Sequence, residues 1–161
     1  MATGEPMNAA RVQPRLRRPN GLPQAAGRMP TNRRATTPVL DMTFGIDDLI
    51  RLRSAVAAYA AELGAGGRGE DVVLIAHELA SNAVRHGGGR GRLRLWRDDF
   101  RLICRVSDSG PGLGDAIRAG VELPSPEMPG GRGLWIARRL AAIRIDTGRT
   151  GTTITAAITL P

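Results

Sequence analysis

Three stretches of this chain place residue types at spacings that could carry chemistry. In DVVLIAHELASNAVRHG (residues 71–87), Glu78 and Asn82 are four apart and stack on one face if the run is helical. A carboxylate and a carboxamide oxygen held there suit magnesium and water, because Mg2+ takes few ligands from protein and completes its shell with phosphate and water. The same pair would also serve as the solvated edge of an ordinary helix. Asp108 is followed by Ser109-Gly110-Pro111-Gly112. A carboxylate can accept from the exocyclic amine of adenine while glycines let the backbone approach a ring closely, although a plain turn uses the same residues. Gly130-Gly131-Arg132-Gly133 runs into the apolar stretch Leu134-Trp135-Ile136. Glycines ahead of a helix expose free N–H groups, which together with the helix dipole and Arg132 make an anion site.

Other routes to chemistry close on inspection. His77-Glu78 begins like the zinc motif H-E-x-x-H, but position 81 is Ser. A phosphate loop of the G-x-x-x-x-G-K-[ST] type needs lysine, and the chain contains none; no G-x-G-x-x-G follows a strand in a βαβ setting. The single cysteine, Cys104, excludes an internal disulfide and lies in an apolar strand-like run, which predicts a buried, inert thiol. His86, at the end of the helical run, could either cap its last carbonyls or point into the site.

The elements that must position these groups are readable from hydrophobic period. Ile46, Leu49, Ile50, Leu52, Val56, Tyr59, Ala60 and Leu63 recur at helical spacing, with Gly64 as a stop. A second helix is predicted over about 70–86, with Val72, Ile75, Ala76, Leu79 and Ala83 as its core stripe and His77 on the exposed side. Strand-like runs at 92–97 and 101–107 are joined at Asp98-Asp99 in hairpin style. A Gly/Pro-rich segment (108–132) precedes a helix over about 133–142, and strands at 143–146 and 152–160 close the chain. The predicted fold is α+β, with helices on one face of a mixed or antiparallel sheet.

Composition bounds the rest. With 161 residues, 42% hydrophobic and 3% aromatic, the chain has room for one aliphatic core and a tail. The formal charge is +8, but it is uneven. Residues 1–37 hold seven arginines against one acid, together with five prolines, and read as a disordered tail ahead of a domain at 38–161. The near-balanced remainder argues against nucleic acid as a partner, with an Arg-rich tail binding nucleic acid as the weaker reading. No apolar run is long enough to span a membrane and no secretory signal is present, so a cytoplasmic location is expected.

Taken in order, Glu78-x-x-x-Asn82, Asp108-x-Gly110-x-Gly112, Gly131-Arg132-Gly133-Leu134 and Gly151-Thr152-Thr153 resemble the GHKL ATPase superfamily, whose fold is the Bergerat two-layer α/β sandwich. The short layout, with Asn82-Ala83-Val84-Arg85-His86-Gly87 and Gly130 to Trp135, is most similar to the anti-sigma regulatory factors, serine/threonine protein kinases of bacterial partner-switching systems. The resemblance covers about residues 43–161 and implies ATP and Mg2+ as cofactors. It implies Glu78 as general base, Asn82 as magnesium ligand, Asp108 on the adenine amine with Gly110 and Gly112 shaping that pocket, Gly131 and Gly133 at the lid and phosphates, Thr152 near the adenine, and a lid at 113–130. It also implies a homodimer, and as partners a sigma factor and a STAS-type anti-sigma factor antagonist phosphorylated on serine. A nucleotide-gated binding module without turnover is the alternative. No helical dimerisation segment with a phospho-accepting histidine precedes residue 43, which argues against the histidine-kinase version of the fold.

Overall fold

The computed structural model describes residues 40–115, 118–124 and 131–161. The tail at 1–37 and parts of the predicted lid (116–117, 125–130) lie outside the described residues. The elements run β1 (Leu40–Phe44), a 3-10 turn (Ile46–Asp48), α1 (Leu49–Glu62), α2 (Gly69–His86), β2 (Gly91–Asp98), β3 (Arg101–Asp108), α3 (Arg132–Leu140), β4 (Ala142–Gly148) and β5 (Gly151–Thr159). The strands form one sheet in the order β1-β2-β3-β5-β4. All four pairings are antiparallel, so the sheet is not mixed. The fold is α+β, with the three helices layered on one face.

Alternation sets which face is covered. Leu40, Met42 and Phe44 of β1, Leu93 and Leu95 of β2, Leu102, Cys104 and Val106 of β3, and Ile154, Ala156 and Ile158 of β5 are buried toward the helices. Sequence reasoning missed β1 because a five-residue strand beside a Pro-rich tail offers too few alternations to be recognised. Its pairing partner is what makes it a strand: Leu40 to Phe44 lie in register with Leu95 to Gly91. Gly91 is required there, since a Cβ would enter the Phe44 ring.

The helices follow the predicted stripes with one correction. In α2, Val72, Ile75, Ala76, Leu79 and Ala83 are all buried, joined by Ala80 and Ser81. In α1 the buried line is Leu52, Val56 and Ala60, and Ile46 and Ile50 are 64% and 84% exposed instead of in the core. The reason is a change of helix type. Ile46 sits in a 3-10 turn fastened by the Gly45 N–H donating to the Asp48 carboxylate at 3.0 Å, and the phase of α1 set by Leu52, Val56 and Ala60 puts Ile50 on the opposite side. His77 is another correction. It is half-buried, with its Nδ1 enclosed and lacking a hydrogen-bond partner, because α2 packs against both α1 and α3 and its shoulders are covered. The third helix ends at Leu140, earlier than expected, and Ala142 opens β4.

Arginines close the helix ends. The Arg97 guanidinium donates to the Leu63 carbonyl (2.7 Å) after α1, and the Arg68 guanidinium to the Leu140 carbonyl (2.6 Å) at the end of α3. These satisfy terminal carbonyls that the helices cannot bond internally. Among the described residues no helix is long and apolar enough to cross a membrane.

Burial separates two isosteric changes in neighbouring helices. Leu79→Ala should cost about 2–5 kcal/mol of unfolding free energy by cavity formation, whereas Ile50→Ala should stay within about 0.5 kcal/mol; urea titration with an unchanged m-value checks both. Cys104 supplies a pH dependence. Burial pushes its thiol up to about 12, while the unfolded thiol ionises near 8.5. The folded state therefore holds its proton longer, and stability is full below about pH 8.5 and falls above it, approaching about 1.4 kcal/mol per pH unit. With no lysine to titrate in that range, urea midpoints across pH 8–11 should show this slope flattened in Cys104→Ala.

Candidate functional site

The site grows from the end of α2. Acidic Glu70 and Asp71 occupy its first turn and Arg85 and His86 its last, which complements the helix dipole at both ends. Beyond it, Gly87 meets the end of β3 at backbone distance. A Cβ on Gly87 would run into the Asp108 carboxylate, and a Cβ on Gly110 would lie 2.6 Å from the Gly87 Cα and 2.8 Å from the His86 carbonyl oxygen. Only glycine at both positions lets the helix end and the Asp108 loop touch.

Asp108 is held from two directions. Its Oδ1 accepts the Gly110 N–H at 3.0 Å and the Thr152 N–H at 3.2 Å. The first bond is an Asx-type turn; the second reaches across from β5. Among the described residues its Oδ2 accepts no hydrogen bond, so one carboxylate oxygen is fixed and the other remains available. Thr152 is buried, and its hydroxyl shares a 3.0 Å hydrogen bond with that of Thr147. The Thr147 oxygen also accepts the Leu113 N–H at 2.8 Å. Gly112, at φ +88°, packs against the Gly148 carbonyl, so this loop is strapped to the β4–β5 hairpin.

The third segment closes on α2 from the side. Gly131 precedes α3 at φ +80°, a left-handed conformation that suits glycine. Gly133, in the first turn, is buried directly against the Glu78 carboxylate. Glu78 thus faces the positive end of the α3 dipole. Asn82 is half-buried one turn further along α2, and Arg132 is exposed. His86 is exposed on the last turn of α2, and no hydrogen bond among the described residues fixes it. The Arg138 guanidinium donates to the Ala119 carbonyl at 2.7 Å, and Gly120, at φ +69°, lies against the Leu134–Trp135 backbone. The described part of the predicted lid is therefore anchored on α3.

The fold thus joins the three sequence segments on one rim: Glu78 to Gly133 directly, and Asp108 to Gly110 and Thr152 directly. Sequence reasoning placed Gly87 and Gly151 in motifs without giving either a role, and missed Thr147. Gly87 could have been found as the partner that the Asp108-x-Gly110 turn needs. Gly151, whose Cβ would strike the Asp108 carbonyl, and Thr147 required knowing that β5 lies beside β3. A cleft of about 710 Å³ is lined by Asp108 and Ser109 together with Asp47, Asp48, Arg90 and Arg92. Glu78 and Asn82 are not part of it. Among the described residues no three His, Cys, Asp or Glu side chains gather as a metal centre.

Residues 44–158 match the histidine kinase-like ATPase domain. The chain belongs to that family. It is accordingly an ATP-binding domain, and its antiparallel sheet with covering helices is the fold of a histidine kinase-like ATPase domain. Solved structures similar to it include the histidine kinase domain of the Erythrobacter litoralis EL346 blue-light activated histidine kinase, at 22% identity over 73% of this chain and 68% of that one, with a TM-score of 0.49. The catalytic domain of histidine kinase ThkA is 15% identical over 75% and 96%, with a TM-score of 0.49. The histidine kinase domain of the E. coli osmosensor EnvZ is 16% identical over 78% and 91%, with a TM-score of 0.43. No curated protein matches the chain.

Gly110→Ala tests the rim of this ATPase domain. The added methyl forces the Asp108 loop away from the end of α2, and ATP affinity should fall at least about tenfold, equivalent to about 1.4 kcal/mol. Isothermal titration against Gly114→Ala, where a Cβ meets nothing within 4 Å, provides the matched control.

Proposed function

We propose that this ATPase domain is a serine/threonine protein kinase of the anti-sigma regulatory type, acting with Mg2+ and ATP on a serine of an anti-sigma factor antagonist and alternately holding a sigma factor. The observation that carries this reading is the shared rim. Asp108 presents one free carboxylate oxygen beside Gly110, and Glu78 and Asn82 stand one helical turn apart on the wall that leads from it to α3. These residues fit the nucleotide: the close contact of Gly87 with Gly110 sets the Asp108 loop at the end of α2, and the Asn82 carboxamide and Glu78 carboxylate are oxygen donors suited to magnesium.

In this reading Asp108 Oδ2 accepts the adenine amine, with Oδ1 pinned by two backbone N–H groups so that the carboxylate cannot rotate away. Gly112 and Thr152 wall the base. Asn82 offers its carboxamide oxygen to magnesium. Magnesium held there would supply charge neutralisation for the phosphates, the main requirement of phosphoryl transfer. Gly131, Gly133 and Arg132 present backbone N–H groups and a guanidinium to the phosphates. Glu78 accepts the proton of the incoming serine hydroxyl. A cytoplasmic homodimer is the matching assembly, and the exposed Ile46, in the wall of the 710 Å³ cleft, and the exposed Ile50 suit contact with a partner protein. His86, exposed on the last turn of α2 beside Gly87, is a further candidate contact of the nucleotide.

A second reading is favoured by one contact. The Glu78 carboxylate rests against Gly133, so it could instead hold α3 in place in a module that binds ATP to set its shape without turnover. Glu78→Gln separates the two. As a base, Glu78 is needed for transfer: incubation with labelled ATP, Mg2+ and the antagonist should give phosphoserine with the unaltered chain. The variant should lose about 10²–10⁴-fold of that rate while its ATP-induced thermal shift is retained. Intact ATP binding with no phosphoserine from the unaltered chain would leave the binding module as the function.

A further inference from the structure

The face of the sheet turned away from the helices carries a pattern that neither ATP binding nor kinase chemistry uses. Strand register places Asp41, Arg94, Arg105, Thr155 and Arg144 in one row across β1, β2, β3, β5 and β4. Arg94 and Arg105 are direct cross-strand partners, an arrangement of like charges that destabilises a sheet. The carboxylates nearest to them are already engaged. Asp41 is held by the Arg92 guanidinium at 2.6 and 2.7 Å, and Asp146 by that of Arg144 at 2.9–3.1 Å. Arg105 has only a neutral acceptor, the Thr155 hydroxyl at 3.3 Å, and Arg94 Nε is enclosed with no partner. Among the described residues neither forms an ion pair. Burial pulls the Arg105 guanidinium below its ordinary value, with the Arg94 charge adding to it.

We infer that this open sheet face is a docking surface for a carboxylate-rich (Asp/Glu) segment of a partner protein, with Arg94 and Arg105 as its anchors. Two adjacent planar guanidinium groups match carboxylate oxygens in fork geometry, and a carboxylate between them removes the repulsion that the isolated sheet retains. Complementary charge is what selects this occupant. A second copy meeting the same face about a twofold axis would set arginine against arginine. The chain's own tail, with seven arginines and one acid in residues 1–37, carries the wrong sign. A nucleic-acid strand crossing the face would find no bare aromatic platform for its bases, because Arg105 lies over the Trp96 ring at 5.3 Å. The inference does not depend on the kinase reading, since it concerns the opposite face of the sheet.

The same stacking supplies a local reporter. In full-length chain carrying Trp135→Phe, Trp96 is the sole tryptophan, and its emission senses Arg105 directly. Titration with octa-glutamate at low ionic strength should change that emission saturably, with an affinity that weakens as salt rises. R94Q/R105Q should bind about tenfold more weakly, each single Gln variant should fall between, and R94K/R105K should keep most of the affinity. The basic tail is common to all variants, and an unchanged ATP-induced thermal shift shows that each is folded. An equal Trp96 response in R94Q/R105Q would overturn the inference. So would an octathymidylate bound more tightly than octa-glutamate, or a dimer that sediments as monomer only in the Gln variants.

Discussion

The contact between the end of α2 and the end of β3 is the constraint on which the rest of the site depends. Gly87 and Gly110 are in backbone contact, and neither tolerates a side chain. Upstream of that contact, the stripe Val72, Ile75, Ala76, Leu79 and Ala83 fixes the rotation of α2 against the sheet. Position and rotation together determine where the polar shoulder of the helix lies. With a rise of about 1.5 Å per residue, Asn82 stands about 7.5 Å and Glu78 about 13.5 Å along the helix axis from Gly87. An extended nucleotide whose base rests on Asp108 therefore meets Asn82 before Glu78, which is the order of base, metal and terminal phosphate in the proposed chemistry. A small change in the glycine contact would move both groups together.

Antiparallel pairing extends this control to Asp108 itself. A carboxylate at the end of a strand would ordinarily be free to rotate, and the Gly110 N–H alone gives it one hydrogen bond within its own turn. The Thr152 N–H comes from β5, forty-four residues later in the chain, and is available only because β5 lies between β3 and β4. Thr147 and Gly148 then hold the following loop from the same hairpin. The base end of the site is thus a property of the sheet order and not of the Asp108 motif by itself. The alternation that buries Val106, Cys104 and Leu102 toward the helices necessarily turns Arg105 outward, so one strand serves the nucleotide rim at its end and the arginine row along its length.

Much of this was legible in the sequence, and what was not has physical causes. The stripe of α2 was readable because seven of its eighteen residues are buried at helical period. The order of Glu78, Asn82, Asp108 and the glycines identified the superfamily, which the domain match over 44–158 upholds. The strand β1 was invisible because its identity depends on pairing with β2, and a five-residue segment has little local signal. Ile46 was misplaced because helical spacing was carried back through a 3-10 turn, where the angular step differs, and Ile50 because the phase of α1 set by Leu52, Val56 and Ala60 turns it to the opposite side. His77 was misplaced because a single helix read alone has one covered side, whereas α2 has neighbours on two. The roles of Gly87, Thr147 and Gly151 rest on contacts distant in sequence, so the motifs that contain the two glycines did not disclose what they do.

The contact between Glu78 and Gly133 links α2 to α3. A carboxylate set against the first turn of a helix is stabilised by the helix dipole, and Glu78 occupies the positive end of α3. Phosphate oxygens arriving at Gly131, Arg132 and Gly133 would compete for the same electrostatic position. The proposed nucleotide would therefore displace the carboxylate from the helix end as it binds, freeing Glu78 to face an incoming hydroxyl. That competition ties the lid to the site as well, because Arg138 and Gly120 fasten residues 118–124 to α3. Binding energy at the phosphates can in this way be transmitted to α3 and its attached segment, which is the mechanical basis that both the kinase reading and the binding-module reading require. They differ only in whether the released carboxylate meets a serine.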